Sequence, residues 1–225
     1  MMNLFSKNPK NFNNEQFSKE DISSILTTVK DYCIEHKNTL NKGAKKKMEN
    51  GMFDEFCHKN IVKDNLNKVY YPRPRTTAPD ELTSIFLEKI YGHDLCERER
   101  VVQTYADQKQ AEMTIGKLLE LYIQKTGLKF GWCCTGELVK DVDFIKKVHK
   151  GWQIFQIKNS DNTENSAASK VRDNTEIFKW SRRNSKKENT YYWDSFPDAD
   201  LRKQMTEKGF RKYINDYYSA IKPKI

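Results

Sequence analysis

Residues 140–158 read KDVDFIKKVHKGWQIFQIK, and this run constrains the fold more than any other. Two stretches patterned as strands flank Lys150-Gly151, which reads as the turn of a hairpin. Side chains alternate between faces along a strand. Val142 and Phe144 then point one way, and Asp141, Asp143 and Ile145 the other. On the second strand Phe155 and Ile157 share one face, and Trp152, Ile154, Gln156 and Lys158 share the opposite one. If the strands pair, Asp143, Gln156 and Lys158 converge. A polar group at the end of an apolar strand face needs a reason. A bound cation and a phosphate would supply one. An acid on one strand, an oxygen donor on the next and a lysine two positions later is the arrangement of a metal-dependent nuclease site.

Charge points the same way. The 225 residues carry a net charge of +9, and it is uneven. Residues 1–139 hold 21 Lys and Arg against 19 Asp and Glu, whereas residues 140–225 hold 19 against 12. The basic excess therefore lies in and after the candidate site, as a polyanion partner would require. A chain of this length can bury one good core with room for a smaller appendage. The five cysteines (Cys33, Cys57, Cys96, Cys133 and Cys134) are odd in number and form no CxxC pair, which fits a reducing compartment. Cys33 and Cys57 lie near His36 and His58, but the spacing lacks the second pair of a standard zinc site. No run approaches the ~18 apolar residues of a membrane span. The first residues are polar and Asn/Lys-rich, unlike a signal peptide. The expectation is a soluble, cytoplasmic prokaryotic protein with no membrane partner.

The pattern predicts an α/β (α+β) fold: a helical region over 1–105, then a core over 106–225 with a mixed central sheet flanked by helices. Ser18 and Asp21 read as a helix start, with Ile22, Ile25, Val29 and Cys33 at helical spacing. Lys45, Lys46 and Lys47 read as a solvated connecting loop. Further helices are expected over 50–67, over 77–92 ending at Gly92, and from about Ala106 to Gly127. Strands are expected over 130–139 with a kink at Gly136, over 141–148 and over 152–159. A helix is expected over 167–183, a strand or ordered loop over 191–196, and a last helix over 201–221. This order matches the core of the PD-(D/E)xK nucleases.

Phosphodiester hydrolysis builds negative charge on an anionic centre, which a divalent cation offsets while activating water. Mg²⁺ takes oxygen ligands and keeps several waters, so one or two carboxylates suffice. Asp143 is the committed carboxylate. Gln156 offers an amide oxygen without charge, and the carbonyl of Ile157 a further ligand. Lys158 would hold the attacking water or the developing charge. Glu120 or Glu137 would add a second carboxylate through water. Beyond the strand, Asn159, Asp161, Asn162, Asn165 and Ser166 form a polar loop leading to Arg172, Arg182 and Arg183. Asn and Arg are the side chains that read adenine and guanine edges. The rival reading pairs these arginines with Asp173, Glu176 and Glu188 on the protein surface. Lys186 and Lys187 suit phosphates. Arg73 and Arg75, interleaved with Tyr70 and Tyr71, suit either a DNA backbone or a packed surface loop.

The segments AEMTIGKLLELYI, GWCCTGELVKDVDFI, WQIFQIKNSDNTENSAAS, RDNTEIFKW and YYWDSFPD resemble the SinI-type family of type II restriction endonucleases over roughly residues 110–200. QIKNSDNTENS is the most specific block. The resemblance implies a PD-(D/E)xK fold and Mg²⁺-dependent cleavage of double-stranded DNA at a short palindromic site, GGWCC in the family's type enzyme. Asp143, Gln156 and Lys158 fall on the family's catalytic positions. Ala167-Ala168 and the FKWSRR segment depart from its pattern, which bears on the target rather than the reaction. A palindrome implies a homodimer, through the N-terminal helices or the 201–221 helix, and a cognate DNA methyltransferase as a functional but not physical partner. Two other readings stay open. One is a DNA-binding module with a degenerate nuclease site, favoured by Gln156. The other is a structure-specific repair nuclease.

Overall fold

The computed structural model describes residues 16–70, 80–161 and 177–221. Ser18 opens α1 (Lys19–Glu35) with a reciprocal capping box: its hydroxyl accepts from the Asp21 N–H at 3.0 Å, and the Asp21 carboxylate accepts from the Ser18 N–H at 2.9 Å. Ile25, Val29, Tyr32 and Cys33 form its buried stripe, with Ile22 half-buried at the margin. Lys45, Lys46 and Lys47 are helical rather than in a loop. They sit in α2 (Lys42–Glu49), whose Asn41 cap accepts the Ala44 N–H at 2.7 Å. One buried alanine, Ala44, gives that short helix an inner side, so its lysines stay solvated without a loop. A short α3 (Phe53–Cys57) runs on as a π-helical segment, His58–Leu66, which buries Ile61, Val62 and Leu66.

The chain divides into two compact units, Met1–Val69 with Leu119–Ile225, and Tyr70–Leu118. The smaller contains α4 (Glu81–Lys89), capped by Asp80 and ended by Gly92, whose φ of +72° suits a residue without a side chain. Then comes α5 (Leu95–Gly127), 33 residues long. The boundary expected at 105–106 falls inside this continuous helix.

The larger unit holds a four-stranded sheet in the order β1-β2-β3-β4, with β1 (Trp132–Cys134), β2 (Phe144–Val148), β3 (Gly151–Ser160) and β4 (Ile177–Arg183). The first two pairings are antiparallel and the third is parallel. Residues 177–183 are thus strand, not the expected helix. Phe178, Trp180 and Arg182 alternate with Lys179, Ser181 and Arg183, a period of two that a helix would scatter around its axis. Aromatic and β-branched residues also favour the pleated surface. The predicted first strand keeps only its WCC segment, and the predicted 201–221 helix is two: α6 (Ala199–Arg202) and α7 (Glu207–Ile221). Around 191–196 the chain forms an ordered 3-10 turn, Trp193–Ser195, after Tyr191 bridges Arg183.

The sheet has two unlike faces. On one, Trp132, Phe144, Phe155, Ile157 and Trp180 are buried beneath Trp193, Phe196 and Phe210 of the C-terminal segment. Trp132 stacks on Phe155 with centroids 4.0 Å apart, and Trp180 meets Phe196 edge-on at 4.9 Å. On the other, Tyr32 of α1 packs edge-on against Trp152 at 5.2 Å and covers that end of β3. The free edge of β1 is closed by a side chain. The Gln124 amide of α5 donates to the Trp132 carbonyl at 2.9 Å and accepts the Cys134 N–H at 2.6 Å, standing in for a neighbouring strand.

Candidate active site

The loop before β2 fixes Asp143. Leu40 bridges Val139, and the Lys140 N–H donates to the Thr39 carbonyl at 2.9 Å, so the N-terminal helices hold its first half. Asp141 then takes φ +58°, a left-handed turn that Asp tolerates better than most residues. Regular strand therefore starts at Phe144, not 141. Buried Thr135 clamps the second half: its N–H donates to the Asp143 carbonyl at 3.0 Å, and its hydroxyl to the Val142 carbonyl. The Asp143 N–H donates to the Phe155 carbonyl at 2.9 Å. Its carboxylate Oδ2 accepts the Ile157 N–H at 2.7 Å, the role a strand carbonyl would have played had β2 begun earlier.

Phe144 pairs with Phe155. Asp143, just before β2, puts its N–H on the same Phe155 carbonyl and its carboxylate on the Ile157 N–H, so it lies against β3 on either side of Gln156 in sequence. Gln156 is buried, and its Oε1 has no hydrogen-bond partner among the described residues. Buried polar atoms almost always find partners. A lone amide oxygen, one residue along the strand from the N–H that a carboxylate holds, is a donor set suited to a hard cation. The Ile157 carbonyl points to the same strand edge as its N–H, toward Asp143. Lys158, half-buried, lies on the Gln156 face and has no ion-pair partner among the described residues. Among those residues no three His, Cys, Asp or Glu side chains gather as metal ligands. Any cation here would rest on Asp143, the amide, a main-chain oxygen and water. Glu120 is half-buried one turn before Gln124, and Glu137 is exposed in the turn after β1.

A profile of the SinI restriction endonuclease family matches residues 10–220. The type II restriction enzyme Eco47I of Escherichia coli is 35% identical over 207 residues, covering 89% of each chain. The type II restriction enzyme SinI of Salmonella infantis is 35% identical over 188 residues, covering 82% of this chain and 80% of its own. The chain belongs to the SinI restriction endonuclease family. The match takes in the N-terminal helices, for which the sequence offered no resemblance.

In this family member, strand alternation separates residues that the sequence reading grouped together. Arg182 points to the face beneath the C-terminal segment and is buried. It donates to both Glu207 carboxylate oxygens at 2.7 and 2.8 Å and to Asn159 Oδ1 at 2.9 Å, and it lies over the Tyr191 and Phe210 rings. That is an internal ion pair, with Glu207 as partner rather than any of the surface acids considered above. A guanidinium so engaged is not free to read bases. Arg183 points to the Gln156 face and is half-buried. Two residues not expected there join it. Lys179 stands beside Gln156 in the parallel register, and Ser181 beside Lys158. The signal for them was the period-two alternation of 177–183. Asp161 accepts the Ser185 N–H at 2.8 Å, and that hydrogen bonding, with help from Tyr192, holds its carboxyl below the ordinary range. Lys186 and Lys187 are exposed in a turn closed by Asn184 Oδ1. Asn162, Asn165, Ser166, Arg172, Arg73 and Arg75 lie outside the described residues. The cysteines near His36 and His58 are core side chains, where burial pushes the Cys33 and Cys57 thiols up to about 12.

Proposed function

We propose that this protein is a Mg²⁺-dependent endonuclease that hydrolyses phosphodiester bonds of double-stranded DNA at a short palindromic, GGWCC-like site. The supporting observation is the buried, unpartnered Gln156 Oε1, next to the Ile157 N–H that the Asp143 carboxylate holds and two residues before Lys158. Asp143, the Gln156 amide oxygen and the Ile157 carbonyl would hold the ion. When bound, it polarises a phosphoryl oxygen and lowers the pKa of a coordinated water. Asp143 is fixed before binding, because one of its oxygens already holds the Ile157 N–H. Lys158 donates to the attacking water or to charge building on the phosphate. Gln156 supplies no charge, so the metal should bind more weakly than in a two-carboxylate site, unless Glu120 or Glu137 contributes through water.

DNA would lie along the Gln156 face. Lys179 and Arg183 there supply positive charge, and Lys186 and Lys187 follow in the exposed turn after β4; Asn159, Asp161, Asn162, Asn165, Ser166, Arg172, Arg73 and Arg75 are proposed as further DNA contacts. A palindrome presents two equivalent scissile phosphates, and one active centre per chain calls for two copies about a two-fold axis. Such an enzyme works beside a DNA methyltransferase that protects the same site, without binding it. Supercoiled plasmid incubated with Mg²⁺ tests the proposal. Wild type should give discrete fragments. Lys158→Ala should cut roughly 10²–10³-fold more slowly while binding the site almost normally. Smears would instead indicate a repair-type nuclease, and binding without cutting a DNA-binding module.

A further inference from the structure

The smaller unit contains a helix turned inside out. Leu82, Ile85 and Phe86 of α4, with Ile90 at its C-cap, share one face, and all four are exposed. No residue of α4 is buried. Tyr91 and Leu95 extend the stripe past the helix end, and the six are 47–69% exposed. Ser84 and Leu87, half-buried, mark the inner side, where Glu88 pairs with Arg98 of α5. Side chains of this size at such exposure present on the order of 600 Å². That is most of the ~800 Å² each partner buries in a standard protein interface, and monomers seldom leave so much apolar surface contiguous.

The smaller unit, Tyr70–Leu118, holds seven Lys and Arg against eight Asp and Glu, so it has no share in the basic excess of a chain of net +9. Charge says what would fit. Glu81 opens α4 and Lys89 closes it, on either side of the stripe. A second α4 laid antiparallel about an axis near Ile85 and Phe86 sets each Glu81 near the partner's C-terminal turn, which carries Lys89. The opposed helix dipoles add to this match. A two-fold contact asks for one patch that complements itself.

We infer that the α4 stripe is the surface through which two copies of this chain associate. The inference rests on the reading of a palindromic DNA substrate, which needs two active centres related by a two-fold axis. Sedimentation of the full chain without DNA, at micromolar concentration, tests it. Wild type should run as two chains. Phe86→Glu with Ile90→Glu should run as one, with association weakened about a hundredfold or more and unchanged circular dichroism, since both side chains are already exposed. Hydrogen exchange gives a second reading without mutation: amides of 81–90 in the wild type should lose protection on dilution. A double variant that stays paired, or protection that ignores concentration, overturns the assignment. A wild-type monomer that still cuts DNA overturns the pairing but leaves the nuclease reading. A wild-type pair split by the substitutions, from a protein that never cuts, keeps the surface and removes the nuclease reading instead.

Discussion

On the face of the sheet under α6 and α7, buried charge is matched. Asp198 accepts from Trp132 at 2.9 Å and from Lys146 at 2.6 Å, while Glu207 meets Arg182, Arg211 and Trp193. On the opposite face Gln156 keeps an oxygen unpartnered among the described residues, and Lys158 carries its charge without an ion pair among them. One sheet thus carries two kinds of polar residue. Those on the first face hold layers together, whereas on the second Gln156 Oε1 and Lys158 keep capacity that no described residue takes up. Adjacent Arg182 and Arg183 show how sharp the division is, since a step of one residue along β4 changes the face.

Breaking that comparison is simplest at Arg182. Its loss should be the most costly change on the matched face, because removing one partner of a buried ion pair costs about 3–5 kcal/mol. Arg182→Ala should therefore lower the midpoint of thermal or urea unfolding, while the protein that remains folded keeps its affinity for DNA. Arg183→Ala should do the reverse, with stability within about 0.5 kcal/mol of wild type and weaker DNA binding. If Arg182→Ala instead melts normally and loses discrimination between cognate and random duplexes, the two faces are not divided as described.

Acid probes the same face at Asp198. Burial alone would raise its pKa, but the hydrogen bonds from Lys146 and Trp132 outweigh burial and bring it down to about 2. A folded pKa below the unfolded one adds stability that is complete above the ordinary value of ~3.9 and is lost as pH falls toward the folded value. This carboxylate accounts for about 2 kcal/mol on that scale. Urea midpoints measured from pH 5 down to pH 2 should fall less steeply in Asp198→Asn than in wild type. Parallel slopes would mean that the contact with Lys146 adds nothing in solution.

Much of this division can be read before folding. That Gln156 and Lys158 share a face of β3 was legible because strand alternation is strictly local, and Ser18 with Asp21 because a capping box spans only four residues; Asp143 lies in the loop before β2, where alternation does not reach. The β4 strand was not legible. Its pairing with β3 is parallel and follows a long connection, so nothing adjacent in sequence announces it. The arginines in 172–183 suggested a DNA-facing helix, and their charge outweighed the alternation of Phe178 and Trp180. Glu207 as the partner of Arg182 lies 25 residues away, beyond any local rule. The inverted α4 was hidden for another reason: an apolar helical stripe reads the same whether its own unit or another surface covers it.

The smallest expected effect tests the comparison most directly. Gln156→Leu replaces a buried, unpartnered amide with an apolar side chain of similar size. A buried polar atom without a partner costs about 1–3 kcal/mol, so in the absence of divalent metal this variant should be about 1 kcal/mol more stable than wild type. Few polar-to-apolar substitutions in a strand of a candidate active site would be expected to stabilise. The gain should shrink when Mg²⁺ is added, because the ion binds the folded wild type and raises its melting temperature by mass action, and Leu cannot bind it. Gln156→Glu should behave oppositely, less stable without metal and more strongly raised by it. Melting curves of the three proteins with and without Mg²⁺ decide the matter without any DNA present. If Leu destabilises and Mg²⁺ moves all three alike, then Oε1 is satisfied within the folded chain, and the polar residues of both faces serve the fold alone.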